Sequence, residues 1–261
     1  MILRNTNSTG EQNLNGKPES TLSMSNLRNL AVPDISVVVP VYDEGKSIGI
    51  ILKMLSEIDW YPYNAEVIVV DDGSTDNSPQ EIMAFPTFTY IRHKKNMGKG
   101  AALKTGFHYA KGKVMVIQDA DLEYSPESIP ELVKPILFGS ADVVFGSRFA
   151  GKCKGMSLSH FMGNKLLSIT ARMLFDAPIT DIMTGSKAFS RAVVNSFELE
   201  QNGFEVEVEM TSKCLHNGWR FQEVPIGYSY RTFGSSKIGF LDGVKSMVQL
   251  FSRSYKDTIH E

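Results

Sequence analysis

Cysteine is nearly absent from this chain: Cys153 and Cys214 are the only two in 261 residues. That rules out a disulfide scaffold and a four-cysteine zinc site, and it suits a reducing compartment with both side chains as buried thiols. An excess of charge of either sign is missing too. Twenty-seven Lys and Arg face 29 Asp and Glu, a formal net charge of −2, so no global field draws the chain to nucleic acid or to an anionic membrane, and any such contact must be local. No apolar run approaches the roughly 18 to 20 residues needed to span a bilayer, so the chain reads as not an integral membrane protein. The first 33 residues, with runs such as Asn5-Thr6-Asn7-Ser8-Thr9-Gly10, lack a stretch apolar enough for a signal peptide and show no helical period; the expectation is a flexible extension. Gly45-Lys46-Ser47 is not a P-loop, because that motif needs glycine where Pro40 stands. His93, His108, His160 and His216 have no metal-ligand spacing, and no Gly-x-Ser-x-Gly elbow occurs.

What is present is a hydrophobic content of 42%, enough for one substantial core. From Ile35 short β-branched runs alternate with longer amphipathic segments, the pattern of parallel strands joined by crossover helices. Strands are predicted at 35–39, 66–70, 88–91, 114–118 and 142–145. Val67-Ile68-Val69-Val70 is apolar on both faces, which fits a strand covered by helices on each side of an open α/β sheet. From about Gly151 the alternation stops, and Leu158, Phe161, Met162, Leu166, Ile169 and Met173 take helical spacing; this half is expected to supply the acceptor side.

In open α/β sheets ligands bind at the carboxyl ends of the strands. There the chain places Pro40-Val41-Tyr42-Asp43-Glu44, then Asp71-Asp72-Gly73-Ser74, then Asp119-Ala120-Asp121-Leu122-Glu123, then Gly146-Ser147-Arg148. Three carboxylates crowded where a buried strand runs out repel one another unless a hard cation sits among them, so Asp119, Asp121 and Glu123 read as ligands of Mn2+ or Mg2+. A cation there would offset the charge that grows as a diphosphate leaves. Asp71 and Asp72 read either as acceptors for ring N–H groups of a nucleobase, with Tyr42 beside it, or as an Asx turn capping the next helix. The Gly98-Lys99-Gly100 turn opens a helix; its amides and Lys99 either meet an anion or are ordinary solvated groups. Between Arg148 and Phe175 lie Arg148, Lys152, Lys154, Lys165 and Arg172 and no acid. That stretch reads as a holder of an anionic headgroup beside a lipid, or as a solvated basic face over a core-facing apolar stripe. Arg231 and Lys237 bracket a second cationic loop suited to phosphate. Residues 240–251 have amphipathic helical spacing, for packing on the domain or for a membrane surface.

These pieces together resemble a known family. P-V-Y-D-E, V-D-D-G-S-T-D, N-M-G-K-G-A-A-L-K-T-G-F, D-A-D-L-E, G-S-R and R-T-F-G-S-S-K-I-G occur in order. The chain is similar over residues 35–251 to family 2 glycosyltransferases of the GT-A fold, and most to dolichyl-phosphate mannose synthases and other polyprenyl-phosphate glycosyltransferases. The resemblance implies a Rossmann-like open, mostly parallel sheet flanked by helices, with an extension at 1–33, a catalytic domain at 34–239 and an amphipathic C-terminal helix and tail at 240–261. It implies that Pro40, Tyr42, Glu44, Val70 and Asp72 surround base and ribose, and that Asp119, Ala120, Asp121 and Glu123 surround diphosphate, sugar and metal. Arg148, Arg231 and Lys237 would contact phosphates, with Asp119, Asp121 and Arg148 carrying the catalysis. Two positions depart from the pattern: Asp43 where the family commonly has asparagine, and Glu123 where mannose synthases often have glutamine or serine.

The activity so implied is metal-dependent, inverting transfer of a hexose from a nucleotide-diphosphate sugar, mannose from GDP first, to a polyprenyl or dolichyl phosphate. A phosphate acceptor is about 90% dianionic at neutral pH and needs little base help; a hydroxyl acceptor would need Asp181, Glu205 or Glu207. The competing readings are a UDP-glucose enzyme, a hydroxyl-directed transferase of polysaccharide or glycolipid synthesis, a nucleotidyltransferase and a catalytically idle binding subunit. The expected setting is cytoplasmic and peripheral, against a membrane surface or a membrane-anchored partner, with no nucleic acid.

Overall fold

The computed structural model describes residues 32–151, 153–156, 158–230, 233 and 248. Their centre is a seven-stranded sheet in the order β3-β2-β1-β4-β7-β5-β8. The strands are β1 (Ile35–Val41), β2 (Ala65–Asp71), β3 (Thr89–Arg92), β4 (Val114–Ile117), β5 (Val143–Ser147), β7 (Lys187–Ser190) and β8 (Phe221–Pro225). All neighbours are parallel except β7, which runs antiparallel between β4 and β5. The short β6 (Cys153–Lys154) pairs parallel with β9 (Tyr228–Ser229) in a separate ladder. The five predicted strands are present; β7 and β8 were not predicted. Lys187-Ala188-Phe189-Ser190 gives no β-branched run, and its place in the sheet comes from tertiary pairing.

The strands are apolar on both faces because helices cover both. Val38, Ile68, Val70, Met115, Ile117 and Phe189 pack with Leu103 and Phe107 of α3 (Lys99–Tyr109), Leu167 and Ala171 of α5 (Leu158–Phe175), and Val206 and Met210 of α7 (Val206–His216). One residue along, Val37, Val39, Val67, Val69, Val116 and Val144 pack with Ile48, Ile51, Leu52 and Leu55 of α1 (Ile48–Glu57), Ile82 of α2 (Ser78–Met83), and Leu132, Val133 and Ile136 of α4 (Ile129–Leu137). This period-two partition separates two apolar layers with the sheet between them. A short α6 (Arg191–Asn195) follows β7, with the Ser190 side chain accepting from the Val193 amide. The helical spacing read at 158–173 is a real helix, but its stripe does not face the core: Leu158, Met162, Leu166, Ile169 and Met173 are exposed.

The chain runs outward from β1 to β2 to β3, then returns to place β4 on the other side of β1. Strand order therefore reverses between β1 and β4, and the carboxyl ends of these two strands diverge to leave a crevice.

Candidate active site

A cleft of about 380 Å³ opens at that switch point, within the range of small-molecule sites. Pro40, Tyr42, Glu44, Asp72, Asp119, Ala120, Asp121, Glu123 and Arg148 all line it, so residues scattered over more than a hundred positions converge as the sequence predicted. Val70 does not line it; its side chain is fully buried in the core, one residue short of the strand's edge. Arg231, Lys237 and residues 240–247 and 249–261 lie outside the described residues.

The first wall is a turn held from β2. Asp43 adopts φ 47°, a left-handed conformation that Asp and Asn tolerate best among residues with a Cβ. Its Oδ1 accepts the Thr75 amide at 2.7 Å. An asparagine would supply the same carbonyl-type acceptor, so this departure from the family pattern preserves the turn. Behind Glu44, the Ser47 hydroxyl donates to Oε2 at 3.1 Å.

The two aspartates ending β2 have different jobs. Asp71 is fully buried and accepts the Ser74 amide at 2.7 Å and the Tyr90 hydroxyl at 3.0 Å, with Arg92 Nε 3.2 Å away. This holds the turn after β2, and it does not cap the next helix, which begins at Ser78 without a side-chain cap. Burial, then the bond to Asp71, pushes the Tyr90 phenol up to about 12. Asp72 faces the cleft yet is held by the Gly98 amide at 2.7 Å and the Met97 amide at 3.0 Å. Its third partner is His93 Nδ1 at 2.6 Å. A carboxylate has no proton to give, so Nδ1 carries the hydrogen, and Nε2 shares a hydrogen bond with the Thr105 hydroxyl at 2.9 Å. Asp72 thus ties the β2 edge to the turn that starts α3.

That turn is built for close approach. Gly98 has φ 98°, and a Cβ there would lie 2.2 Å from the Asn202 carbonyl oxygen; only glycine fits. The Gly100 amide donates to the same carbonyl at 2.7 Å. Lys99 is thereby driven into the cleft, its Nζ 2.7 Å from Asp119 Oδ1 and 2.8 Å from Glu207 Oε1. Burial opposes its charge, but the two carboxylates outweigh that and raise its pKa. Of the two readings of this turn, the solvated lysine is excluded.

Glu207 also pairs with the fully buried Lys187, whose ammonium donates to the Thr184 carbonyl at 2.7 Å. Burial disfavours the Glu207 charge, yet Lys187 and then Lys99 prevail and hold its carboxyl at about 2. Burial lowers the pKa of Lys187, with Glu207 opposing. Asp119, Lys99, Glu207 and Lys187 form an alternating chain of charge from the cleft into the core.

The acidic loop is braced from below. The Gln118 side chain donates to the Asp119 carbonyl at 2.9 Å and the Tyr124 carbonyl at 3.0 Å. Between them Leu122 is forced to φ 64°, costly for a residue with a Cβ, while Asp121 Oδ1 accepts the Glu123 amide at 3.0 Å. Asp119 is pushed up to about 6, first by burial and then by the Asp121 and Glu207 carboxylates, with Lys99 opposing. Among the described residues no three His, Cys, Asp or Glu side chains converge as a ready-made metal cage. The predicted triplet therefore shares one cleft without one common point, because Asp119 turns toward Lys99. The donor set still fits a hard cation: it is all oxygen, with three carboxylates on one cleft wall.

Arg148 lies opposite, buried, with Nε and Nη2 on Asp181 at 2.7 and 2.6 Å and its amide on the same carboxylate at 3.0 Å. Burial opposes this charge, but Tyr124 and Asp181 outweigh it and raise the pKa. Asp181 is fully buried under this fork, so its predicted role as base for a hydroxyl acceptor is not compatible with its surroundings. Glu205, also considered for that role, does not line the cleft, whereas Glu207 does.

Several lining residues were not predicted, among them Asn96, Tyr124, Met183, Gly185 and Phe204. Gly185 belongs to the segment leading into β7, and a Cβ there would come within 2.0 Å of Asp119 Oδ2. No sequence pattern announces that approach.

The profile described as Glycosyl transferase family 2 matches residues 36–197. The chain is 32% identical over 234 residues to an uncharacterized protein of Methanocaldococcus jannaschii, covering 87% of this chain and 94% of that one. It is 32% identical over 213 residues to the dolichol-phosphate mannosyltransferase of Pyrococcus furiosus, spanning 78% of this chain and 59% of that longer protein. It is 27% identical to the polyprenol monophosphomannose synthase of Mycolicibacterium smegmatis over 77% of this chain and 80% of that one. Among solved structures, glucosyl-3-phosphoglycerate synthase from Mycobacterium tuberculosis in complex with Mn2+, uridine diphosphate and glucosyl-3-phosphoglycerate superposes with a TM-score of 0.70 at 21% identity. That likeness covers 92% of this chain and 86% of the other. The same enzyme with Mg2+ and uridine diphosphate gives a TM-score of 0.69. The neighbours share the GT-A fold. A cleft at the strand-order switch, walled by the predicted acids and matched by this profile over most of the sheet, leads to one conclusion: the chain is a glycosyltransferase that belongs to glycosyl transferase family 2.

Proposed function

We propose that this glycosyltransferase moves a hexose, mannose from GDP-mannose first, from a nucleotide-diphosphate sugar to a polyprenyl phosphate with inversion at the anomeric carbon. The observation that carries this reading is the state of the three carboxylates weighed as base for a hydroxyl acceptor, Asp181, Glu205 and Glu207, of which Glu205 does not line the cleft, the acidic loop being assigned to the metal. A hydroxyl acceptor needs a base. Glu207 is held at about 2 between two ammonium groups, and Asp181 is buried beneath Arg148. An acceptor that arrives already ionised suits such a site. The Pyrococcus and Mycolicibacterium relatives, named for dolichol-phosphate and polyprenol-phosphate mannose transfer, support the same acceptor class.

In this reading Pro40, Tyr42 and Glu44 wall the base and ribose, and Asp72 holds the turn that presents Lys99 to the diphosphate. Asp119, Asp121 and Glu123 would hold a Mn2+ or Mg2+ ion, which when bound offsets the negative charge on the departing diphosphate. An acceptor phosphate oxygen attacks the anomeric carbon, the bond from that carbon to the diphosphate oxygen breaks, and nucleoside diphosphate leaves with the electron pair. Arg148, oriented by Asp181, adds positive potential on the acceptor side.

Incubation with a panel of nucleotide sugars and a short polyprenyl phosphate, with products weighed by mass spectrometry, tests this. A hexosyl phosphoprenol is expected with Mn2+ and its loss in Asp121→Ala. Normal turnover of Asp121→Ala with saturating Mn2+, or fast transfer to a soluble sugar with none to the prenyl phosphate, would refute it. UDP-glucose is the second donor to try, because Glu123 changes the charge beside the metal where mannose synthases often carry a neutral side chain.

A further inference from the structure

Tyr124 walls the cleft, yet the transfer described above gives it no task. It follows the acidic loop directly, is 3% exposed and lines the cleft beside Asp119 and Gly185. The loop itself puts it there. Leu122 turns the chain back at φ 64°, and the Gln118 side chain holds the Tyr124 carbonyl at 3.0 Å. Its ring packs with Ile226 and Tyr228, the two tyrosine rings 5.9 Å apart between centroids. The hydroxyl reaches the segment before β7, where its oxygen accepts the Gly185 amide at 3.4 Å. A Cβ on Gly185 would stand 3.3 Å from a Tyr124 ring carbon and 2.0 Å from Asp119 Oδ2, so glycine there lets phenol and acidic loop meet at one wall.

The phenol proton is unspent. A tyrosine hydroxyl can donate as well as accept, and among the described residues the one hydrogen bond at this oxygen is accepted. A donor buried this deeply is costly to leave unpaired, so its partner is a group that the cleft takes in. Arg148 is in the same condition. Its Nε and Nη2 are committed to Asp181, whereas among the described residues nothing accepts from Nη1. Its guanidinium carbon lies 5.8 Å from the centroid of the same Tyr228 ring. One aromatic ring therefore supports two buried groups with hydrogens to give, one neutral and one cationic. Lys99 differs, being paired with both Asp119 and Glu207.

A ligand that takes a hydrogen bond from each of these donors beside a guanidinium is an oxyanion, and a phosphate monoester offers three terminal oxygens for it. We propose that the Tyr124 hydroxyl and Arg148 Nη1 together hold the acceptor's phosphate group, the phenol donating to one oxygen and the guanidinium to a second, which leaves the third to attack the anomeric carbon. The proposal rests on the phosphate-acceptor reading and names the pair of donors that recognises the headgroup. A neutral donor suits this place. Next to the acidic loop it binds an anion without adding a second positive charge that would compete with the metal for the carboxylates.

Tyr124→Phe removes one oxygen and keeps the ring on Tyr228, and circular dichroism checks that it folds. Calorimetry on the full chain with GDP and Mn2+ present, UDP replacing GDP where the donor panel selects it, measures affinity for a water-soluble short-chain prenyl phosphate and for inorganic phosphate as its competitor. Both should weaken about tenfold or more in the variant, the worth of a hydrogen bond to a charged group. Affinity for the nucleoside diphosphate with Mn2+ should stay within about twofold. In steady state the KM for prenyl phosphate should rise by a similar factor while the donor KM does not move, a split that a merely structural role would not produce. Unchanged affinity for prenyl phosphate would overturn the proposal alone. So would an equal loss of nucleoside diphosphate affinity, which places the phenol on the donor, or a loss for prenyl phosphate with none for inorganic phosphate, which places it on the hydrocarbon. A wild type that binds nucleoside diphosphate but neither phosphate ligand would refute the acceptor reading and this proposal together.

Discussion

Removing Asp181 tests whether Arg148 acts as an isolated cation or as half of a locked pair. Both side chains are buried, and the carboxylate accepts Nε, Nη2 and the backbone amide of Arg148 at 2.6 to 3.0 Å. Asp181→Ala strands a guanidinium in the interior. A broken buried pair costs about 3–5 kcal/mol, and the stacking against Phe149 and Tyr228 is common to both proteins and cancels, so a loss of at least about 3 kcal/mol is expected. For a domain of this size that lowers Tm by roughly 6–12 °C. Asp181→Asn keeps one acceptor oxygen and should lose about half as much. Arg148→Met leaves Asp181 with the residue 148 amide still donating, a loss of about 2 kcal/mol. The double variant removes both charges, so its loss should fall short of the sum of the singles by about 2 kcal/mol or more. Urea unfolding followed by circular dichroism gives all four values. Additive losses, or an Asp181→Ala cost below about 1 kcal/mol, would refute the pairing and return Arg148 to the role of a solvated phosphate ligand.

Three other outcomes follow from the cleft. Lys99→Met should lower kcat about a hundredfold or more, since an ammonium aimed at developing phosphate charge is worth that much; unchanged steady-state kinetics would show that Lys99 only balances Asp119. Gly98→Ala should cost about 3 kcal/mol by thermal unfolding, from a backbone region other residues avoid and a clash with the Asn202 carbonyl; a Tm within a degree of wild type would contradict that contact. Glu207 titrates at about 2 when folded against 4.5 ordinarily, so its stabilisation is fully present above about pH 4.5 and is lost as pH falls toward 2. That amounts to about 3 kcal/mol. Glu207→Gln should flatten this part of the acid limb in urea titrations at stepped pH, and an identical limb would refute the assignment.

The legible part of this protein was local. Runs such as Val67 to Val70 commit the chain to strands buried on both faces, and polar residues placed directly after such runs must gather at one edge of a parallel sheet. Hence nearly all the predicted lining residues meet in one cleft. The Val70 side chain is absent from that lining for the same reason, because a residue inside the run packs in the core.

The pairing of charges was not legible. Whether Asp119 faces a cation from the ligand or from the chain depends on Lys99, which reaches it because Gly98 abuts the Asn202 carbonyl. Arg148 and Asp181, 33 positions apart, meet only because the segment before β7 returns under β5, and β7 itself lacks the composition of a strand. The stripe on α5 had the right period, but period says where side chains cluster, not which side the fold covers. Periodicity and the polarity of strand ends, both properties of short stretches, let the sequence alone determine the five parallel strands that carry the site and the site's edge, while the ordered motifs carried the resemblance to the family. Partner choice among charges and the exposure of a helix face depend on contacts between distant segments, and these only the tertiary structure decided.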